Sequence, residues 1–411
     1  MFGSQLFRGR RVVVGISGCI AAYKSCYLIR WLVEQGAEVR AMMTAGARRF
    51  ITPLTIETLT RHPVYGEMFP EGFAATHHID LADWAEVMIV APATANILGK
   101  MANGIGDDFV STVLLAAHCP VVVAPAMNSH MWNHAAVQRN VHRLREDGVL
   151  ICDPEEGFLA EGYSGVGRLA RLEYLVQHAY RAIHPALESL AGKRVLITAG
   201  ATREYLDPVR MLTNRSTGKM GFALAWEAWA RGAEVILVHG EGALEPPVGI
   251  TTVPITAAAD LHDAVAERFD DSDIYISAAA VADYRPASVS KGKIKKGEGE
   301  LSLKLARTVD VLRTMADRKR PGQILVGFAV ETDDPEANAR RKLTGKQLDL
   351  VVLNNPLDSG AGFAADTNRV TLLDADHAIP LPVLPKLDVA RQMFNHLLGA
   401  ALDTPEGEGR P

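Results

Sequence analysis

Short apolar runs alternate with longer segments of helical periodicity along the chain, and this alternation restricts the fold more than any other feature. In the first half the apolar runs are Arg11–Gly15, Glu38–Met43, Val87–Val90 and Val121–Val123, and the helical segments are Ile20–Gln35 and Phe109–Ala117. Continuously apolar runs are typical of strands buried on both faces. Because strands joined through helices form parallel sheets, the sequence predicts an α/β fold with a doubly wound parallel sheet.

The same pattern starts again near the middle of the chain. The predicted strands there are Arg194–Thr198, Glu234–Val238, Asp273–Ser277, Ile324–Phe328 and Leu350–Leu353, and the predicted helices are Phe222–Ala230, Ala257–Phe269 and Lys386–Leu402. A chain of 411 residues is also too long for one ordinary domain of roughly 150 residues. We predict two α/β domains, 1–190 and 191–411, joined between Tyr180 and Gly192.

Two segments depart from the alternation. Lys291–Leu305 opens with lysines and glycines and continues as the alternating sequence LSLKL, which predicts a hairpin or flap that stands off the sheet. The tail 404–411 has the sequence TPEGEGRP, which predicts disorder.

Charge and cysteine content argue against several classes of protein. The chain has 43 basic and 48 acidic residues, a net charge of −5, which disfavours nucleic acid or an anionic membrane as the main partner. No apolar run reaches the roughly 18 residues of a membrane span, and the N-terminus lacks the apolar core of a signal peptide. The four cysteines are Cys19, Cys26, Cys119 and Cys152, and no two of them have CxxC spacing. This pattern predicts reduced thiols in a cytoplasmic protein.

The first predicted strand ends in the turn Gly15–Gly18, which precedes a helix. Backbone N–H groups at such a turn can bind a phosphate group. The spacing is not the dinucleotide sequence G-x-G-x-x-G, and the second strand ends in Met43 and Thr44 without an acidic residue, which disfavours a nicotinamide dehydrogenase. A tight turn without any ligand is an equal alternative for this segment alone.

Two later strands end in small residues followed by an asparagine, in the segments Val90–Asn96 and Val123–Asn128. Ligands of open α/β sheets bind at the carboxyl ends of strands, where small residues leave room for a planar ring. The amides of Asn96 and Asn128 offer hydrogen-bond donors and acceptors. A helix-capping role for Asn96 is the alternative.

The segments GISGCIAAYK, THHIDLADWA, APATANILGKMANGIGDDFVST, PAMNSHMW and GFLAEGYSGVGRL together resemble the flavin-dependent cysteine decarboxylases that act on peptidyl or phosphopantothenoyl cysteine. The resemblance implies a flavodoxin-like domain that binds FMN, in a homo-oligomer built on trimers, up to a dodecamer, with the active site between subunits. It implies FMN contacts at Ser17, Gly18, Thr44, Thr94, Asn96, Ser111 and Ala126.

The same resemblance assigns the decarboxylase chemistry to two residues. His78 matches the active-site histidine and Asn128 matches the asparagine that binds the substrate carboxylate, whereas His77 is expected on the surface. Oxidation of the substrate's thiol carbon to a thioaldehyde provides the electron acceptor for the loss of CO₂. The flavin performs that oxidation, and a histidine, which titrates near neutral pH, can accept the proton.

One position differs from the family pattern. Glu161 stands where the phosphopantothenoylcysteine enzymes have the cysteine that donates a proton to the enethiol intermediate. A carboxylic acid whose pKa is raised by burial could replace it, and Cys152 is a second candidate. If neither donates, the first half stops at the enethiol, or the protein is a flavin-binding regulatory protein with an incomplete decarboxylase site.

The second half has its own anion-binding features. Thr213–Gly221 lies before a predicted helix and carries basic side chains, and Asp283 follows a predicted strand end. Lys293, Lys295 and Lys296 lie on the predicted flap and could close over a nucleotide. The P-loop order is absent, and a capped helix with exposed basic residues is the simpler alternative for the first segment.

The segments ITAGATREYLDPVR, TNRSTGKMG, SAAAVADYRP, KIKK, VGFAVET and RKLTGKQLDLVVLNN resemble the phosphopantothenate–cysteine ligases, which implies a Rossmann-like domain. The positions that match the family's CTP contacts are Ala279, Asp283, Lys293, Thr308, Val309, Asp310, Val311, Phe328, Lys342 and Lys346. Asn214 matches the asparagine that stabilises the acyl-cytidylate, and Arg210 matches an active-site arginine.

The order of the two halves resembles the bifunctional coenzyme A biosynthesis family. The resemblance implies that 4′-phosphopantothenate attacks the α-phosphate of CTP, and that the cysteine amine then displaces CMP. Mg²⁺ is the expected metal ion, because a divalent cation balances the triphosphate charge, but the sequence does not identify its ligands.

Overall fold

The computed structural model describes residues 5–69, 76–242, 244–296, 300–331, 333–355, 362 and 364–402. The tail 404–411, predicted as disordered, lies outside these residues. The chain forms two compact units, one of residues 5–185 and one that begins at residue 186. This break lies within the segment Tyr180–Gly192, and the domain bounds 1–190 and 191–411 stay a prediction.

A five-stranded parallel sheet forms the centre of the first unit, in the order β2-β1-β3-β4-β5. Its strands are β1 (Arg11–Ile16), β2 (Glu38–Met43), β3 (Val87–Ala93), β4 (Val121–Pro125) and β5 (Leu150–Ile151), and a separate pair is formed by β6 (Glu155–Phe158) and β7 (Ser164–Arg168). An order of 2-1-3-4-5 is that of flavodoxin, with its ligand site where the strand order reverses between β1 and β3. The predicted flavodoxin-like sheet is confirmed.

The helices of this unit follow the sheet strands, as the alternation predicts. They are α1 (Lys24–Glu34), α2 (Pro53–Thr60), α3 (His77–Trp84), α4 (Ala95–Ala102), α5 (Phe109–Ala116), α6 (Ser129–Trp132), α7 (Ala135–Glu146) and α8 (Leu172–Ala182). The segment predicted as one helix from Ile20 begins with a 3-10 turn, Ile20–Tyr23, before α1. Strands β1 and β3 are buried along almost their whole length, which explains their continuous apolar sequence.

A β-hairpin formed by β6 and β7 packs on the loop after β4. The Met127 N–H donates a hydrogen bond to the Gly167 carbonyl, with an N···O distance of 3.0 Å. Gly167 has φ +151°, and a Cβ atom there would lie 2.1 Å from the Met127 carbonyl oxygen. Glycine is therefore required for the hairpin to approach this loop so closely.

An eight-stranded sheet forms the centre of the second unit, in the order β12-β11-β8-β13-β16-β17-β19-β20. Its strands are β8 (Arg194–Ala199), β11 (Glu234–Gly240), β12 (Thr251–Ile255), β13 (Ile274–Ser277), β16 (Ile324–Val330), β17 (Leu350–Asn354), β19 (Val370–Leu373) and β20 (Ala378–Pro380). The first six are parallel in the Rossmann order 3-2-1-4-5-6, and the last two are antiparallel additions at one edge. The predicted Rossmann-like fold is confirmed.

Three pairs of short strands and five helices complete the described part of the second unit. The paired short strands are β9 (Arg203–Tyr205) with β10 (Met211–Thr213), β14 (Tyr284–Pro286) with β15 (Leu305–Arg307), and β18 (Thr367–Asn368) with β21 (Leu384–Pro385). The helices are α9 (Lys219–Ala230), α10 (Ala258–Ala266), α11 (Val311–Ala316), α12 (Pro335–Gly345) and α13 (Lys386–Leu397).

The segment predicted as a hairpin or flap, Lys291–Leu305, connects two short strands that pair with each other, and its position off the sheet stays a prediction. Strands β14 and β15 pair antiparallel at its base, and the lysine-rich segment that begins at Lys291 lies between them. The strand is shorter than the LSLKL alternation predicts, since it starts only at Leu305. Among the described helices of both units, none is long and apolar enough to cross a membrane.

Candidate active sites

The carboxyl ends of β1 and β3 are held together by Ser17. Its hydroxyl donates to the Pro92 carbonyl at 2.7 Å and accepts from the Thr94 N–H at 3.0 Å. The next residue, Gly18, faces the loop after β2, where an added Cβ would lie 2.8 Å from the carbonyl carbon of Gly46. These contacts fix the turn at the switch point of the sheet and occupy the Ser17 side chain.

The other predicted FMN residues lie around the same strand ends. Thr44 follows β2, and its hydroxyl accepts from the Ala47 N–H at 3.2 Å. Thr94 caps α4, so the alternative that Asn96 is the capping residue is wrong; Asn96 is exposed in the first turn. Ala126 is buried directly after β4.

Ser111 has a structural role in the single chain. With Asp108 it forms a capping box at the start of α5, in which the Ser111 N–H donates to Asp108 Oδ1 at 2.9 Å. The Ser111 hydroxyl accepts from the Asp108 N–H at 3.1 Å. Its contact with FMN stays a prediction.

Adjacent histidines have different environments at the start of α3. The expectation that His77 lies on the surface is wrong, because it is 5% exposed, stacks on Phe109 and contacts the Glu67 carbonyl through Nε2 at 2.9 Å. His78 is half-buried, and its Nδ1 is buried with no hydrogen-bond partner in the part of the chain that the structure describes. A buried ring nitrogen of this kind is available to a ligand.

A cavity of about 310 Å³ in the first unit contains the remaining predicted decarboxylase residues; we call it the clamp cavity. Its described lining includes Ala126, Asn128 and Glu161, but not His78. The hairpin of β6 and β7 covers it through residues Phe158–Glu161 and Gly167–Leu169. The structure therefore brings Asn128 and Glu161 together and leaves His78 elsewhere on the unit.

The amide of Asn128 has a fixed orientation. Its Oδ1 accepts from the His130 N–H at 2.8 Å, which caps α6, and its Nδ2 donates to the Tyr163 hydroxyl at 2.7 Å. The amide nitrogen carries a second N–H that can donate to an anion. This orientation suits the predicted role of Asn128 in binding a carboxylate.

The candidate proton donors differ in their position. Glu161 is exposed, so the burial that the carboxylic-acid hypothesis requires is missing in the single chain. Cys152 is buried behind β5, where burial raises the pKa of its thiol to about 12, and it is not among the described residues of the clamp cavity. Cys19, which the sequence analysis did not consider as a donor, lines this cavity.

A larger cavity of about 560 Å³ lies at the carboxyl ends of β13 and β16 in the second unit; we call it the nucleotide cavity. Nine of the predicted CTP residues line it: Ala279, Asp283, Thr308, Val309, Asp310, Val311, Phe328, Lys342 and Lys346. Lys293 is exposed and is not among the described lining residues. Tyr284 and Arg307, at the base of the flap, also line it and were not predicted.

Threonine side chains hold the loops of this cavity in place. The Thr198 hydroxyl, at the end of β8, accepts from the N–H groups of Ala278 and Ala279 at 3.1 and 3.2 Å. The Thr308 hydroxyl donates to the Ala282 carbonyl at 2.5 Å. These bonds explain how residues distant in sequence reach one edge of the sheet.

Lys342 of α12 and Lys346, the residue that follows this helix, supply positive charge to the nucleotide cavity. Lys346 Nζ lies 2.6 Å from a carboxylate oxygen of Asp310, and Lys342 Nζ donates to the Phe328 carbonyl at 3.3 Å. Burial, and then the positive charge of Lys346, lower the pKa of Lys342. An anionic ligand would relieve the repulsion between these lysines.

A second cavity of about 540 Å³ adjoins the first; we call it the acyl cavity. Both are lined by Ala279, Val281, Asp283, Phe328 and Lys342. The acyl cavity also contains Asn214, whose Nδ2 donates to the Val281 carbonyl at 3.1 Å, and the start of α9 with Lys219. Buried Lys386 lines it as well, and burial followed by the charge of Lys219 lowers its pKa to about 8.

Arg210 lies at the base of the flap. It hydrogen-bonds the Ile294 carbonyl and lies 3.4 Å from Asp207, and it is not among the described lining residues of either cavity. Asp207 is fully buried and accepts from the Ile294 N–H at 3.0 Å. Asp207 therefore anchors the flap. Its role was not predicted from the sequence, although its place in the turn Leu206–Arg210 indicates that its carboxylate can bind backbone N–H groups.

Comparison with known families matches both units. Residues 4–184 match the family described as flavoprotein, and residues 190–400 match the DNA/pantothenate metabolism flavoprotein C-terminal domain. The coenzyme A biosynthesis bifunctional protein CoaBC of Bacillus subtilis is 49% identical over 409 residues, which cover 98% of this chain and 100% of that protein. The chain belongs to the bifunctional coenzyme A biosynthesis family. Its first unit is accordingly a flavoprotein domain.

Two further proteins are similar to this chain, one over most of its length and the other over about half of it. A protein named cysteine/cysteine sulfinic acid decarboxylase, from an unknown prokaryotic organism, is 44% identical over 85% of this chain and 99% of its own length. The crystal structure of the C-terminal domain of a CoaBC protein is 42% identical, with a TM-score of 0.44; it covers 52% of this chain and 97% of its own.

Proposed function

We propose that the chain catalyses two consecutive reactions of coenzyme A biosynthesis. The second unit joins 4′-phosphopantothenate to cysteine with CTP through an acyl-cytidylate, and the first unit decarboxylates phosphopantothenoylcysteine to 4′-phosphopantetheine with FMN. The observation that carries the proposal is the pair of adjoining cavities in the second unit, which share Asp283 and Lys342. The 49% identity to a CoaBC protein supports the same function.

The adjoining cavities suit a two-step ligation. CTP would occupy the nucleotide cavity and phosphopantothenate the acyl cavity, so that the carboxylate meets the α-phosphate beside Lys342. A lysine in a partly desolvated position stabilises the negative charge that develops there. Asn214, at the edge of the acyl cavity, would hold the acyl-cytidylate while the cysteine amine attacks. Arg210 would act through the flap.

Mg²⁺ is the metal ion that we propose for the triphosphate. Among the described lining residues of the nucleotide cavity, Asp283 and Asp310 carry carboxylates. Mg²⁺ prefers oxygen ligands and is typically held by one or two carboxylates together with substrate phosphates. Because Asp310 is paired with Lys346, Asp283 is the better candidate ligand.

The strand ends of the first unit fit FMN. The turn at Gly18, the hydroxyls of Thr44 and Thr94 and the small residue Ala126 surround the flavodoxin switch point, and the buried His78 Nδ1 is available for a ligand. FMN, when bound, supplies the two-electron oxidation of the substrate's thiol carbon. Asn128 would bind the carboxylate through its free N–H, and His78 would accept the proton.

We further propose that each decarboxylase site is formed between two copies of the chain. His78 is outside the described lining of the clamp cavity that contains Asn128 and Glu161. A trimer with head-to-tail interfaces would supply His78 from one copy to the clamp cavity of the next. Association of such trimers could give the dodecamer that the family resemblance implies.

Free cysteines and the anionic substrates support a cytoplasmic enzyme. Cys19, Cys26, Cys119 and Cys152 are all unpaired thiols, which persist in a reducing compartment. Small molecules are the proposed partners, namely 4′-phosphopantothenate, cysteine and CTP.

A coupled assay tests both reactions at once. The purified protein is incubated with 4′-phosphopantothenate and cysteine, with either CTP or ATP, and the products are identified by mass. We expect CMP, pyrophosphate, CO₂ and 4′-phosphopantetheine with CTP. A yellow protein that ligates but releases no CO₂ from phosphopantothenoylcysteine would favour the regulatory alternative, for which Glu161 is the motivating residue. CO₂ release from free cysteine alone would indicate a different substrate.

A further inference from the structure

The clamp cavity contains a thiol that the chemistry described so far does not use. Cys19 is half-buried and lines the cavity together with Lys24, Asn128, Glu161 and Arg168. Of the other cysteines, all in the described part of the chain, none lines it. The cavity is therefore one in which a thiol and the proposed carboxylate-binding amide face the same space.

Local structure fixes the backbone at Cys19. The residue is extended, with φ −137° and ψ 152°, directly before the 3-10 turn Ile20–Tyr23. Its N–H donates to the Ser17 carbonyl and its carbonyl accepts from the Ala22 N–H, both at 2.9 Å. Because Ser17 is itself bonded to Pro92, the thiol is positioned by the same turn that forms the sheet's switch point.

We propose that Cys19 donates the proton that completes the decarboxylase reaction, in place of the family's cysteine at the position of Glu161. The inference rests on the proposed decarboxylation of phosphopantothenoylcysteine. It assigns to the first unit a complete reaction that ends in the saturated thiol and not in the enethiol.

The step balances without a new reactant. Loss of CO₂ leaves its electron pair in the C=C bond of an enethiolate. The S–H bond of Cys19 breaks and a C–H bond forms at the carbon that lost CO₂, so the enethiolate becomes a thioaldehyde. Reduced FMN, when bound, would return the hydride of the first oxidation to the carbon that bears sulfur, which gives the saturated thiolate. The Cys19 thiolate and the product thiolate take up protons from water.

Burial, and then the Glu161 carboxylate, favour the protonated form of this thiol, which is the form that can donate. Burial raises the pKa of Cys19 above its ordinary value of 9.0, and the Glu161 carboxylate acts in the same direction. The N–H groups of Ala21 and Ile20 and the charge of Lys24 act against the shift without reversing it. Glu161 therefore becomes a positioning residue, because its negative charge disfavours the Cys19 thiolate.

Both earlier candidates are weaker on geometry. Glu161 reaches the cavity but is exposed, so it lacks the burial that a carboxylic-acid donor requires. Cys152 is protonated but is buried outside the described lining of the cavity. Cys19 alone among the three combines a protonated group with a place in the cavity.

Product masses from single variants test the assignment. The variants are Cys19→Ala, Cys19→Ser, Glu161→Gln and the rescue variant Cys19→Ala/Glu161→Cys, with Cys26→Ala as a matched control, since Cys26 lies on the adjoining helix α1 outside the cavity lining. Flavin content is measured from absorbance, and CO₂ and product mass are measured with phosphopantothenoylcysteine.

We expect Cys19→Ala and Cys19→Ser to release CO₂ but to yield mainly the enethiol, lighter than the amine by two hydrogen atoms. Cys26→Ala should yield the saturated product, and Glu161→Cys should restore it in the Cys19→Ala background. Saturated product from Cys19→Ala, or enethiol from Glu161→Gln, would overturn the assignment. A wild-type protein that releases no CO₂ would reject the decarboxylase function as well, whereas one that stops at the enethiol would reject only the role of Cys19.

Alkylation of the wild-type protein gives a readout that does not depend on turnover. Iodoacetamide should label Cys19 faster as the pH rises, more slowly at neutral pH than a free thiol, because the thiolate is the reactive form. Phosphopantothenoylcysteine should protect Cys19 and leave Cys26 unchanged. Equal labelling of Cys19 with and without this substrate would contradict its place in the reaction.

Discussion

The two units use similar sheets but assemble their sites to different degrees. In the second unit one chain gathers nine predicted nucleotide residues around a single cavity, whereas in the first unit Asn128 and Glu161 share a cavity that does not include His78. In the nucleotide cavity, residues at strand ends and Lys342 of α12 meet within one chain. His78, on α3, lies outside the described lining of the clamp cavity, and our proposal is that a neighbouring copy supplies it.

Complementation between variants tests this difference most strongly. His78→Asn and Asn128→Ala should each reduce decarboxylation, by about 10²–10⁴-fold for the proton acceptor. If the sites lie between copies, trimers reassembled from an equal mixture should recover about a quarter of the wild-type rate, because a quarter of the interfaces then pair two intact residues. The measurement is CO₂ release after joint refolding or co-expression.

The second unit provides the control for that experiment. Two variants of the nucleotide cavity, such as Lys342→Gln and Asp283→Asn, lie in one chain's cavity and should not complement each other. Recovery of ligation from that mixture would remove the distinction between the two sites. So would a failure of the His78 and Asn128 mixture to recover decarboxylation.

Lys342→Gln should have the next largest effect. Loss of a charge placed at the α-phosphate should lower the rate of acyl-cytidylate formation by about 10²–10³-fold, while decarboxylation of added phosphopantothenoylcysteine stays unchanged. Arg340→Ala is the matched control, since Arg340 lies on the same helix and pairs with Glu336 at the surface. Pyrophosphate release in single-turnover reactions is the measurement, and an unaltered rate would exclude Lys342 from the chemistry.

Strand positions could be predicted because each depends on a local signal, and continuous apolar runs identified β1, β3, β8 and β13. The residues of the nucleotide cavity, such as Ala279 and Phe328, were predicted only because the segments that contain them resemble a known family. The alternative capping role of Asn96 was wrong because two polar residues near a helix start are equally good candidates in sequence. Thr94 has the extended backbone that a capping residue needs.

Residues whose role depends on tertiary contacts could not be predicted. Adjacent histidines have no periodicity that identifies which one is buried, and it is the stacking of His77 on Phe109 that decides it. Asp207 and Cys19 lie in turns, and their partners, Ile294 and Glu161, are far away in sequence. Lys386 was assigned only to a helix because its pocket is formed by other segments.

The flap lysine should have a smaller effect than Lys342. Lys293→Ala should raise the KM for CTP by about tenfold, because an exposed side chain reaches the triphosphate only when the flap closes. Lys304→Ala, an exposed lysine closer to the base strand β15, is the comparison. Steady-state ligation over a range of CTP concentrations separates KM from kcat, and a wild-type rate at every concentration would refute the flap's role.

The acyl cavity should show a pH dependence that comes from one of its own lysines. Lys386, with a pKa of about 8, is positively charged below that pH and neutral above it. A phosphate monoester is almost fully ionised by pH 7, since its second pKa is about 6, so a change in KM above neutral pH reports on the protein.

The KM for 4′-phosphopantothenate should therefore rise by about fivefold between about pH 7 and pH 9, which corresponds to about 1 kcal/mol of lost attraction. Lys386→Gln should have the high KM at both pH values and a flat profile. A profile that keeps its slope in this variant would assign the titration to another group, and the charge of Lys386 would then have no part in binding the substrate.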